Sequence, residues 1–335
     1  MRATITQGTG KLLSTIEMPD PVPLDHELLI RITACGICGS DLHMADAIDA
    51  PGIVLGHEFG GEVVEAGQNV DGWSVGDRLA AFPLVGCGTC GYCRAGALSK
   101  CLSANQLGFQ RPGGFAEYTT LDATSAFRIP ESFDYHAAAL IEPLAVAHHA
   151  LDCTPRELGA PVLIIGGGPV GAAVAHWARA LGSREVVVTD PVDHRRALAE
   201  RVGATATINP QTTDVAGEYA RIVGEAPGVV IECVGIPGMI QHSFDVAGND
   251  AHVTVVGVCM AADQLMPLTA LTKELSTKFV LYYRKSDFSA SIDALATGLL
   301  APHTLVTGEV SLEDLPERFA SLKQPTHDCK VMVRP

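Results

Sequence analysis

The segment Val162-Leu-Ile-Ile-Gly166-Gly-Gly168-Pro-Val-Gly171 decides the fold of this 335-residue chain. Four apolar residues lead into a Gly-x-Gly-x-x-Gly sequence, and an alanine-rich stretch at 172–181 follows. This order predicts a buried strand, a tight turn and a helix, and such a helix accepts the pyrophosphate of a dinucleotide at its N-terminus. The candidate cofactor-binding residues of this turn are Gly166, Gly168, Pro169, Val170 and Gly171.

The sequence around this segment alternates between apolar runs and helical patterns. Strands are predicted at 162–165, 185–190, 229–233, 252–257 and 278–283, and helices at 172–181 and 194–202. Apolar strands joined by helices are typical of a parallel sheet that is covered on both faces. The sequence therefore predicts an α/β, doubly wound dinucleotide-binding domain.

A carboxylate ends the second predicted strand, Val186-Val-Val-Thr-Asp190. At this position an acidic side chain binds the adenosine ribose hydroxyls and repels a 2′-phosphate, so Asp190 favours NAD over NADP. Arg195 and Arg196 follow shortly afterwards, and guanidinium groups there can also hold a 2′-phosphate. We include Arg195 among the cofactor-binding candidates, expect NAD, and keep NADP as the alternative.

The first part of the chain has a different pattern. Short alternating runs at 27–33, 61–65 and 115–119 are separated by glycine and proline, which indicates a mainly-β domain. An amphipathic stretch at 288–300 leads to a tail at 306–333 that contains further strand character. A chain of this length suits two domains, each with its own core.

Cys38, His57 and Glu58 offer a thiolate, an imidazole and a carboxylate within a short region. These ligand types hold zinc in catalytic sites, where one tetrahedral position stays open for water or substrate. Glycine-rich sequence surrounds Cys38 and the adjacent pair His57-Glu58, so we expect the ligand groups on turns rather than inside helices. Cys35-Gly-Ile-Cys38 also has the Cys-x-x-Cys form of thiol-disulfide exchangers, but the nearby histidine and glutamate favour metal.

Four further cysteines lie close together as Cys87-x2-Cys90-x2-Cys93-x7-Cys101. Four thiolates can enclose one zinc ion tetrahedrally and leave no position for a substrate, so this site is predicted to be structural. An iron-sulfur cluster is the competing interpretation, but the spacing differs from that of ferredoxins. A disulfide framework is disfavoured in a chain of this size.

Together these motifs resemble those of zinc-dependent medium-chain alcohol dehydrogenases, especially the branch of sorbitol, threonine and butanediol dehydrogenases. The resemblance covers nearly the whole chain. It implies a GroES-like, mainly-β catalytic domain at 1–148 and 288–335, with a structural-zinc lobe at about 86–102. It also implies a Rossmann NAD-binding domain at 149–287, between the two parts of the catalytic domain.

The resemblance also implies roles for individual side chains. Cys38 and His57 are expected to bind a catalytic zinc ion, whereas Cys35 has no ligand role and is expected to be a buried thiol. Glu58 is a further ligand or lies close behind the ligands, and Glu142 completes the metal site. Without the resemblance, Glu142 would be interpreted as a carboxylate at the start of a helix. Asp41 is expected to accept a hydrogen bond from the second ring nitrogen of His57.

Ser40 and His43 follow Cys38 by two and five residues, so we expect them to approach the metal from the same loop. A hydroxyl that passes its proton to a histidine gives the substrate proton a route outward. The expected reaction is the reversible transfer of hydride between NAD and an alcohol, secondary in our interpretation, which gives a ketone or aldehyde. The expected cofactors are NAD and two zinc ions per chain, one catalytic and one structural.

The motifs leave several substrates open. Sorbitol-type enzymes carry an arginine for polyol hydroxyls near the last strand of the dinucleotide domain, where this chain has Tyr282 and, two residues later, Arg284. We therefore consider apolar or aromatic secondary alcohols, vicinal diols and polyols, in that order. Two other functions are kept as alternatives: a zinc-free reductase of quinones or enones, and a zinc-stabilised nucleotide-binding protein without dehydrogenase turnover.

The formal net charge of -15 argues against anionic partners. Nucleic acids and anionic lipid surfaces attract cationic proteins, so neither is expected as a partner. No stretch predicts a membrane span and residues 1–7 lack an apolar signal core, so we expect a cytoplasmic protein. The resemblance implies a homotetramer or homodimer joined through the dinucleotide domains, with 278–283 as the edge strand.

Overall fold

A computed structural model describes residues 1–324 and 326–335 of the chain. The strands are β1 Arg2–Gln7, β2 Ser14–Glu17, β3 Glu27–Gly36, β4 Pro51–Val54, β5 Glu58–Ala66, β6 Arg78–Ala81, β7 Leu84–Val85, β8 Asn105–Gln106, β9 Tyr118–Asp122, β10 Ala126–Arg128, β11 Val162–Ile165, β12 Val186–Thr189, β13 Ala206–Ile208, β14 Val229–Glu232, β15 His252–Val255, β16 Ser276–Phe279, β17 Val306–Ser311 and β18 Lys330–Arg334. The α-helices are α1 Gly39–Ala47, α2 Gly91–Arg94, α3 Tyr135–Asp152, α4 Pro169–Ala180, α5 Asp193–Val202, α6 Val215–Val223, α7 Met239–Val246, α8 Pro267–Thr272, α9 Lys285–Ala296 and α10 Leu315–Ser321. Short 3-10 helices cover Leu98–Lys100, Ala123–Ser125 and Pro302–Leu305.

The described chain forms two compact units. The first unit comprises Met1–Glu142, Arg284–Ala296 and Val306–Pro335, and the second comprises Pro143–Tyr283 and Thr297–Leu305. The first division between the units therefore falls inside α3. Among the helices of the described residues, none combines the length and the apolar character that are needed to cross a membrane.

The first unit is built mainly from antiparallel strands. Its larger sheet has the order β10-β6-β5-β3-β18-β17, with β9 also paired to β3, and a smaller sheet has the order β2-β1-β4. In β3 the buried Leu28, Ile30 and Ile32 alternate with outward-facing positions such as the exposed Arg31. This alternation arises because successive side chains of a strand point to opposite faces. The inward face of β3 thus forms part of the core of the first unit.

The last strand, β18, joins the tail of the chain to the middle of the larger sheet. Gly36, at the end of β3, pairs with Glu58 on β5 and with Met332 on β18. A Cβ atom at Gly36 would lie 2.2 Å from the Glu58 carboxylate, so a side chain at this position would collide with it. The pairing therefore brings the starts of β5 and β18 together.

The second unit contains a parallel sheet of order β13-β12-β11-β14-β15-β16. The residues of β11, β12, β14 and β15 are buried, as expected for strands that are covered on both faces. This strand order, with helices between the strands, is that of a doubly wound dinucleotide-binding fold. The fold class predicted from the sequence is therefore confirmed.

Two predicted elements of the second unit have one end that lies three or more residues away from its predicted position. The helix after the glycines begins at Pro169 and not at 172, because proline is compatible with the first turn of a helix. The last strand is Ser276–Phe279 and not 278–283. Tyr282 has a φ of 58°, a left-handed conformation that a continuing strand cannot contain.

The turn between β11 and α4 requires its glycines. Gly166 has a φ of 100°, which favours glycine, and a Cβ atom at Gly171 would lie 1.8 Å from the carbonyl oxygen of Gly166. Gly168 precedes the first helical residue, Pro169. The first N–H groups of α4 have no partner within the helix, so this turn has the form that suits a pyrophosphate group.

His176 on α4 joins three segments of the second unit. Its Nδ1–H donates a hydrogen bond to the carbonyl of Val202, at 2.8 Å, and its Nε2 accepts one from the N–H of Ala301, at 3.0 Å. Burial lowers the pKa of His176, and the bond to Val202 offsets only part of this effect. The neutral ring is therefore the form that fits these contacts, because a protonated Nε2 cannot accept a hydrogen bond.

We expect protonation of His176 to make the second unit less stable in acid than at neutral pH. The pKa of His176 in the folded chain lies below the unfolded value of 6.5, so its contribution is complete above pH 6.5. As the pH falls below this value the unfolded chain takes up the proton first, and stability is lost until the folded pKa is reached. The thermal midpoint should therefore fall between about pH 7.5 and about pH 5 by less in His176→Gln than in the original chain.

Glutamine keeps one donor and one acceptor but does not titrate, which is why it isolates the protonation of His176. His242→Gln, on α7, serves as the control and should keep the pH dependence of the original chain. An equal loss of thermal midpoint in all three proteins would contradict this account.

Candidate metal centre and nucleotide site

Cys38 lies immediately before α1, and Ser40 and His43 lie within this helix. The expectation that Ser40 and His43 share a loop with Cys38 is therefore wrong. The Asp41 carboxylate accepts a hydrogen bond from the N–H of Cys38, at 2.9 Å, and this contact fixes the start of the helix. Ser40 and His43 are three residues apart, so they occupy the same side of α1, and His43 is exposed.

Asp41 and His57 form a buried pair. The Nδ1 atom of His57 lies 3.1 Å from one Asp41 oxygen, and the N–H of Gly56 donates to the same oxygen at 3.3 Å. Burial lowers the pKa of His57, but the Asp41 carboxylate and the Cys38 sulfur together outweigh it, and the net shift is upward. With Nδ1–H bonded to Asp41, Nε2 is the ring nitrogen left to bind a metal, an arrangement common in metal sites.

Cys38, His57 and Glu58 converge on one point. Their ligand atoms all lie within 4.8 Å of one another. The Ser40 hydroxyl borders the same point, at 3.2 Å from Cys38 Sγ and 3.4 Å from His57 Nε2. A thiol, an imidazole with its Nε2 free to bind and a carboxylate at this spacing fit a zinc ion. The structure thus brings together residues that the sequence analysis selected for this role.

The Glu58 carboxylate has a second, strong partner that the sequence analysis did not identify. Both of its oxygens lie 2.7 Å from Lys330 Nζ, which also donates to the carbonyl of Ile37 at 3.2 Å. Lys330 is 3% exposed and Glu58 is 1% exposed. Burial lowers the pKa of Lys330, but the charge and hydrogen bond of Glu58, together with the nearby Cys38 and Cys329, outweigh it and the pKa is raised. The pair is therefore a buried salt bridge beside the candidate metal site.

Glu142 lies in the interior of α3 and is buried. The interpretation of this residue as a carboxylate at the start of a helix is therefore wrong. Within the part of the chain that the structure describes, Glu142 is not among the groups whose ligand atoms lie within 4.8 Å of Cys38 and His57.

Cys87, Cys90, Cys93 and Cys101 form a second cluster, in which all four sulfur atoms lie within 4.8 Å of one another. Backbone N–H groups point at the sulfurs: that of Cys90 lies 3.4 Å from Cys87 Sγ, and that of Cys93 lies 3.4 Å from Cys90 Sγ. The hydroxyl and the N–H of Thr89 lower the pKa of Cys87 to about 5. Loss of solvent contact and the neighbouring sulfurs raise the pKa of Cys93 to about 12. Four sulfur atoms at this spacing, with N–H donors aimed at them, fit a closed four-sulfur zinc site.

Cys35 is fully buried, as the sequence analysis predicted. Cβ atoms at Gly56 and at Gly114 would each lie 2.8 Å from its sulfur, so close packing surrounds it. Burial is the main reason why the pKa of Cys35 is raised well above its usual value. A buried thiol with a raised pKa is unreactive, which disfavours thiol-disulfide exchange with Cys38.

Asp190 follows β12 and lies beside the glycine turn of the second unit. One of its carboxylate oxygens accepts a hydrogen bond from the N–H of Gly167 at 2.9 Å, and the other accepts one from the N–H of Val192 at 2.8 Å. Arg195 Nη1 lies 3.7 Å from the first of these oxygens. Arg196 donates to the carbonyl of Asp190 at 2.6 Å. The carboxylate is thus held beside the glycine turn, with a guanidinium group next to it.

The sequence analysis did not select two residues of the metal region, Lys330 and Phe109. Lys330 is a single charged residue at the start of an apolar strand, a signal that could have indicated a buried partner. Phe109 packs against His57 with ring centroids 5.5 Å apart and an angle of 38° between the planes. Its only signal is the preceding Gly108, whose φ of 84° allows the chain to pass close to the backbone of Gly56.

Comparisons with known proteins agree with this geometry. Residues 24–131 match the model of the alcohol dehydrogenase GroES-like domain, and residues 169–297 match that of zinc-binding dehydrogenases. The sorbitol dehydrogenase of Bacillus subtilis (strain 168) is 31% identical over 346 residues, which cover 100% of this chain and 97% of that protein.

Two solved structures are similar over their whole length. A zinc-binding dehydrogenase from Sinorhizobium meliloti 1021, bound to NADP, has a TM-score of 0.92 and 33% identity and covers 100% of this chain and 99% of its own. A short chain alcohol dehydrogenase from Escherichia coli CFT073, complexed with NADH, has a TM-score of 0.93 and 28% identity, with coverage of 100% and 99%. The two neighbours thus hold different nicotinamide cofactors.

The buried salt bridge leads to a prediction about stability. Lys330→Met leaves the Glu58 carboxylate buried without its cation and should lower the free energy of unfolding by about 3–5 kcal/mol. Combining it with Glu58→Gln removes the unpaired charge, so the double variant should be more stable than Lys330→Met alone. Urea unfolding curves of the single and double variants measure both differences.

Lys323→Met is the matched control, because Lys323 pairs with Asp46 at 2.5 Å on the surface. An exposed pair contributes about 0–1 kcal/mol, so this variant should unfold nearly like the original chain. Equal losses for the two lysine variants would show that Lys330 and Glu58 are not coupled as described.

Proposed function

Because the chain belongs to the zinc-dependent medium-chain alcohol dehydrogenase family, we propose that it transfers hydride between a secondary alcohol and NAD and so interconverts alcohol and ketone. The observation that carries this proposal is the convergence of Cys38, His57 and Glu58, with Asp41 orienting the imidazole. In this proposal the catalytic domain comprises 1–148 and 288–335, and the NAD-binding domain comprises 149–287.

The proposal includes two zinc ions. Cys87, Cys90, Cys93 and Cys101 hold the structural ion, since four thiol ligands leave no open position. Cys38, His57 and one carboxylate hold the catalytic ion. Glu58 is the nearer carboxylate, but Lys330 contacts both of its oxygens, and Glu142 is the alternative ligand.

The residues around the catalytic position have separate tasks. Zinc bound there supplies a Lewis acid that polarises the alcohol oxygen, and NAD supplies the hydride acceptor. Asp41 fixes the ring of His57 by accepting the bond from Nδ1–H. The Ser40 hydroxyl, beside Cys38 and His57, accepts the substrate proton, and the exposed His43 on the same side of α1 passes it to solvent.

NAD is the proposed cofactor. The Asp190 carboxylate is held by two backbone N–H groups beside the glycine turn, where it can accept hydrogen bonds from ribose hydroxyls. A 2′-phosphate at this place would meet a negative charge. Arg195, at 3.7 Å from the carboxylate, is paired with it rather than available for a phosphate, which supports NAD over NADP.

Apolar or aromatic secondary alcohols are the proposed substrates. The Phe109 ring stands against the ring of His57 and offers an apolar surface beside the candidate zinc position. The family resemblance assigns Tyr282 to the position at which sorbitol-type enzymes carry a polyol-binding arginine. A vicinal diol or a polyol is the second candidate, favoured by the similarity to the sorbitol dehydrogenase of Bacillus subtilis.

A spectrophotometric screen tests the function directly. Alcohols of the three classes are offered with NAD and with NADP while zinc content per chain is measured. We expect NAD-dependent oxidation of secondary alcohols by a protein with two zinc ions per chain. Cys38→Ser should lose one ion and reduce turnover by at least about 1000-fold, because several kcal/mol of charge stabilisation are lost.

Two further variants separate the zinc sites. Cys101→Ser should lose the other zinc ion and lower the thermal midpoint, and Cys259→Ser, outside both clusters, should keep both ions and full turnover. Absence of turnover with every alcohol in a protein that holds both ions would favour a zinc-stabilised nucleotide-binding protein.

We further propose that two chains associate through β16, as homodimers that can pair into homotetramers. This strand lies at the end of the parallel sheet, and all four of its residues are exposed. Phe279 and Leu271 are 64% and 71% exposed, and Met266, Leu268 and Leu281 are also exposed. An open strand edge surrounded by apolar side chains is typical of a surface that pairs with another chain.

Sedimentation velocity tests this interface. The original chain should sediment as a dimer or tetramer, and Phe279→Asp together with Leu271→Asp should yield a species near 35.1 kDa. Leu158→Asp replaces a leucine that is 95% exposed elsewhere in the second unit and should leave the assembly unchanged. A monomeric original chain, or a double variant that still associates, would contradict the proposal.

A further inference from the structure

The loops after β14 and β15 lie at the carboxyl edge of the parallel sheet. In a doubly wound sheet of this order, the two halves each bind one nucleotide of a dinucleotide at this edge. Asp190 follows β12 in the half formed by β11, β12 and β13, which places the adenosine nucleotide there. The loops after β14 and β15 then belong to the nicotinamide half. The assignment of these loops to the nicotinamide half rests on the proposed function.

The two loops touch each other through their backbones. Gly235 has a φ of 73°, and a Cβ atom there would lie 2.5 Å from the N atom of Val258. A Cβ atom at Gly257 would lie 2.2 Å from the N atom of Gly235. Real Cβ atoms do not approach other atoms this closely, so the spacing of the two loops depends on bare backbone at both positions.

Glu232, the last residue of β14, ties both loops together. Its Oε1 atom accepts hydrogen bonds from the N–H groups of Val234 at 2.6 Å and Gly235 at 2.9 Å. Its main-chain carbonyl accepts bonds from the N–H groups of Val256 at 2.9 Å and Gly257 at 3.1 Å. A single fully buried residue thus fixes the start of the first loop with its side chain and the start of the second with its backbone.

The second carboxylate oxygen of Glu232 is unusual. Oε2 is buried and has no hydrogen-bond partner among the residues that the structure describes. It lies next to Gly257, where a Cβ atom would be 2.6 Å away. A buried acceptor without a partner costs stability, and a glutamine could make the two bonds of Oε1 without burying a carboxylate. The two bonds of Oε1 to the N–H groups of Val234 and Gly235 are therefore the contribution of this side chain on which the loops depend.

The tips of the two loops carry apolar side chains at the surface. Val234 and Ile236 on the first loop and Val258 on the second are exposed. The face of a flat ring such as the uncharged dihydronicotinamide of NADH is suited to such a surface, whereas a phosphate group is not. Together the loops present apolar groups whose separation is set by the contact between Gly235 and Gly257.

We propose that Glu232 is a positioning residue for the nicotinamide half of the cofactor. Glu232 acts through the backbone. Its hydrogen bonds hold the loop that begins at Cys233 against the loop that begins at Val256. The apolar side chains at the tips of these loops are thereby placed for the nicotinamide nucleotide. Glu232 does not contact the adenosine half, which is bound by the glycine turn and Asp190.

The binding of NADH and of ADP-ribose separates the two halves, because ADP-ribose lacks the nicotinamide ring. Glu232→Ala leaves the N–H groups of Val234 and Gly235 without their acceptor, so affinity for NADH should fall at least about tenfold. Gly166 of the glycine turn packs against Val234 and Cys233 of the first loop, so affinity for ADP-ribose should also fall, but by no more than about threefold, because the Asp190 carboxylate keeps its own hydrogen bonds. Glu232→Gln keeps one acceptor oxygen for both N–H groups and should restore affinity for NADH to within about threefold. Isothermal titration calorimetry on the full chain gives each value.

Gly257→Ala tests the same loop contact without changing the glutamate, and it decides the question if Glu232→Ala does not fold. Its methyl group would meet Gly235 and the Glu232 carboxylate, so it should also weaken NADH more than ADP-ribose. Glu225→Ala is the control, because this surface glutamate pairs with Arg184 away from both loops, and both ligands should bind it as before.

The result that would overturn the proposal is a folded Glu232→Ala or Gly257→Ala protein in which NADH and ADP-ribose weaken equally, or in which neither weakens. Failure of the unchanged chain to bind NADH would instead refute the proposed function. The two failures are therefore distinguishable in one series of titrations.

Discussion

The buried salt bridge between Lys330 and Glu58 joins the tail of the chain to a strand of the N-terminal segment within the first unit. Glu58 begins β5 and Lys330 begins β18, and both strands are linked to β3 around Gly36. Burying two charges away from water costs free energy, and here the Lys330 Nζ atom lies 2.7 Å from both Glu58 oxygens, which offsets that cost. The tail of the chain is thus part of the structure around the candidate metal site, because without β18 the carboxylate next to His57 would be buried and unpaired.

The fold was largely predictable from the sequence because its strongest signals are local. The apolar run at 162–165 and the glycines after it indicate the strand, the turn and the helix with little ambiguity, and the structure shows why: Gly171 has no room for a side chain. Strand ends were harder to place. The sequence after Phe279 is still apolar, but Tyr282 adopts a left-handed conformation that no composition rule reveals.

The candidate metal site was predictable in its ligand types but not in its surroundings. Spacing and residue chemistry were sufficient to select Cys38, His57 and Glu58, which the structure brings together. The glycines near Cys38 indicated a loop, yet the Asp41 carboxylate caps the backbone there and a helix begins at once. Lys330 is 272 residues away from Glu58, and no local pattern predicts a contact of such separation.

Asp190 and Glu232 show how one local signal can lead to two different roles. Each carboxylate stands at the end of a buried parallel strand and accepts hydrogen bonds from the N–H groups that follow it. The Asp190 carboxylate accepts a hydrogen bond from Gly167 of the glycine turn and lies near Arg195. By contrast, one oxygen of Glu232 is buried without a hydrogen-bond partner among the residues that the structure describes. An acidic residue at a strand end therefore indicates a nucleotide site only in combination with its neighbours. Beside the glycine turn, Asp190 can bind a ribose directly. Beneath the two touching loops, Glu232 is proposed to act on the ligand by fixing the backbone of those loops.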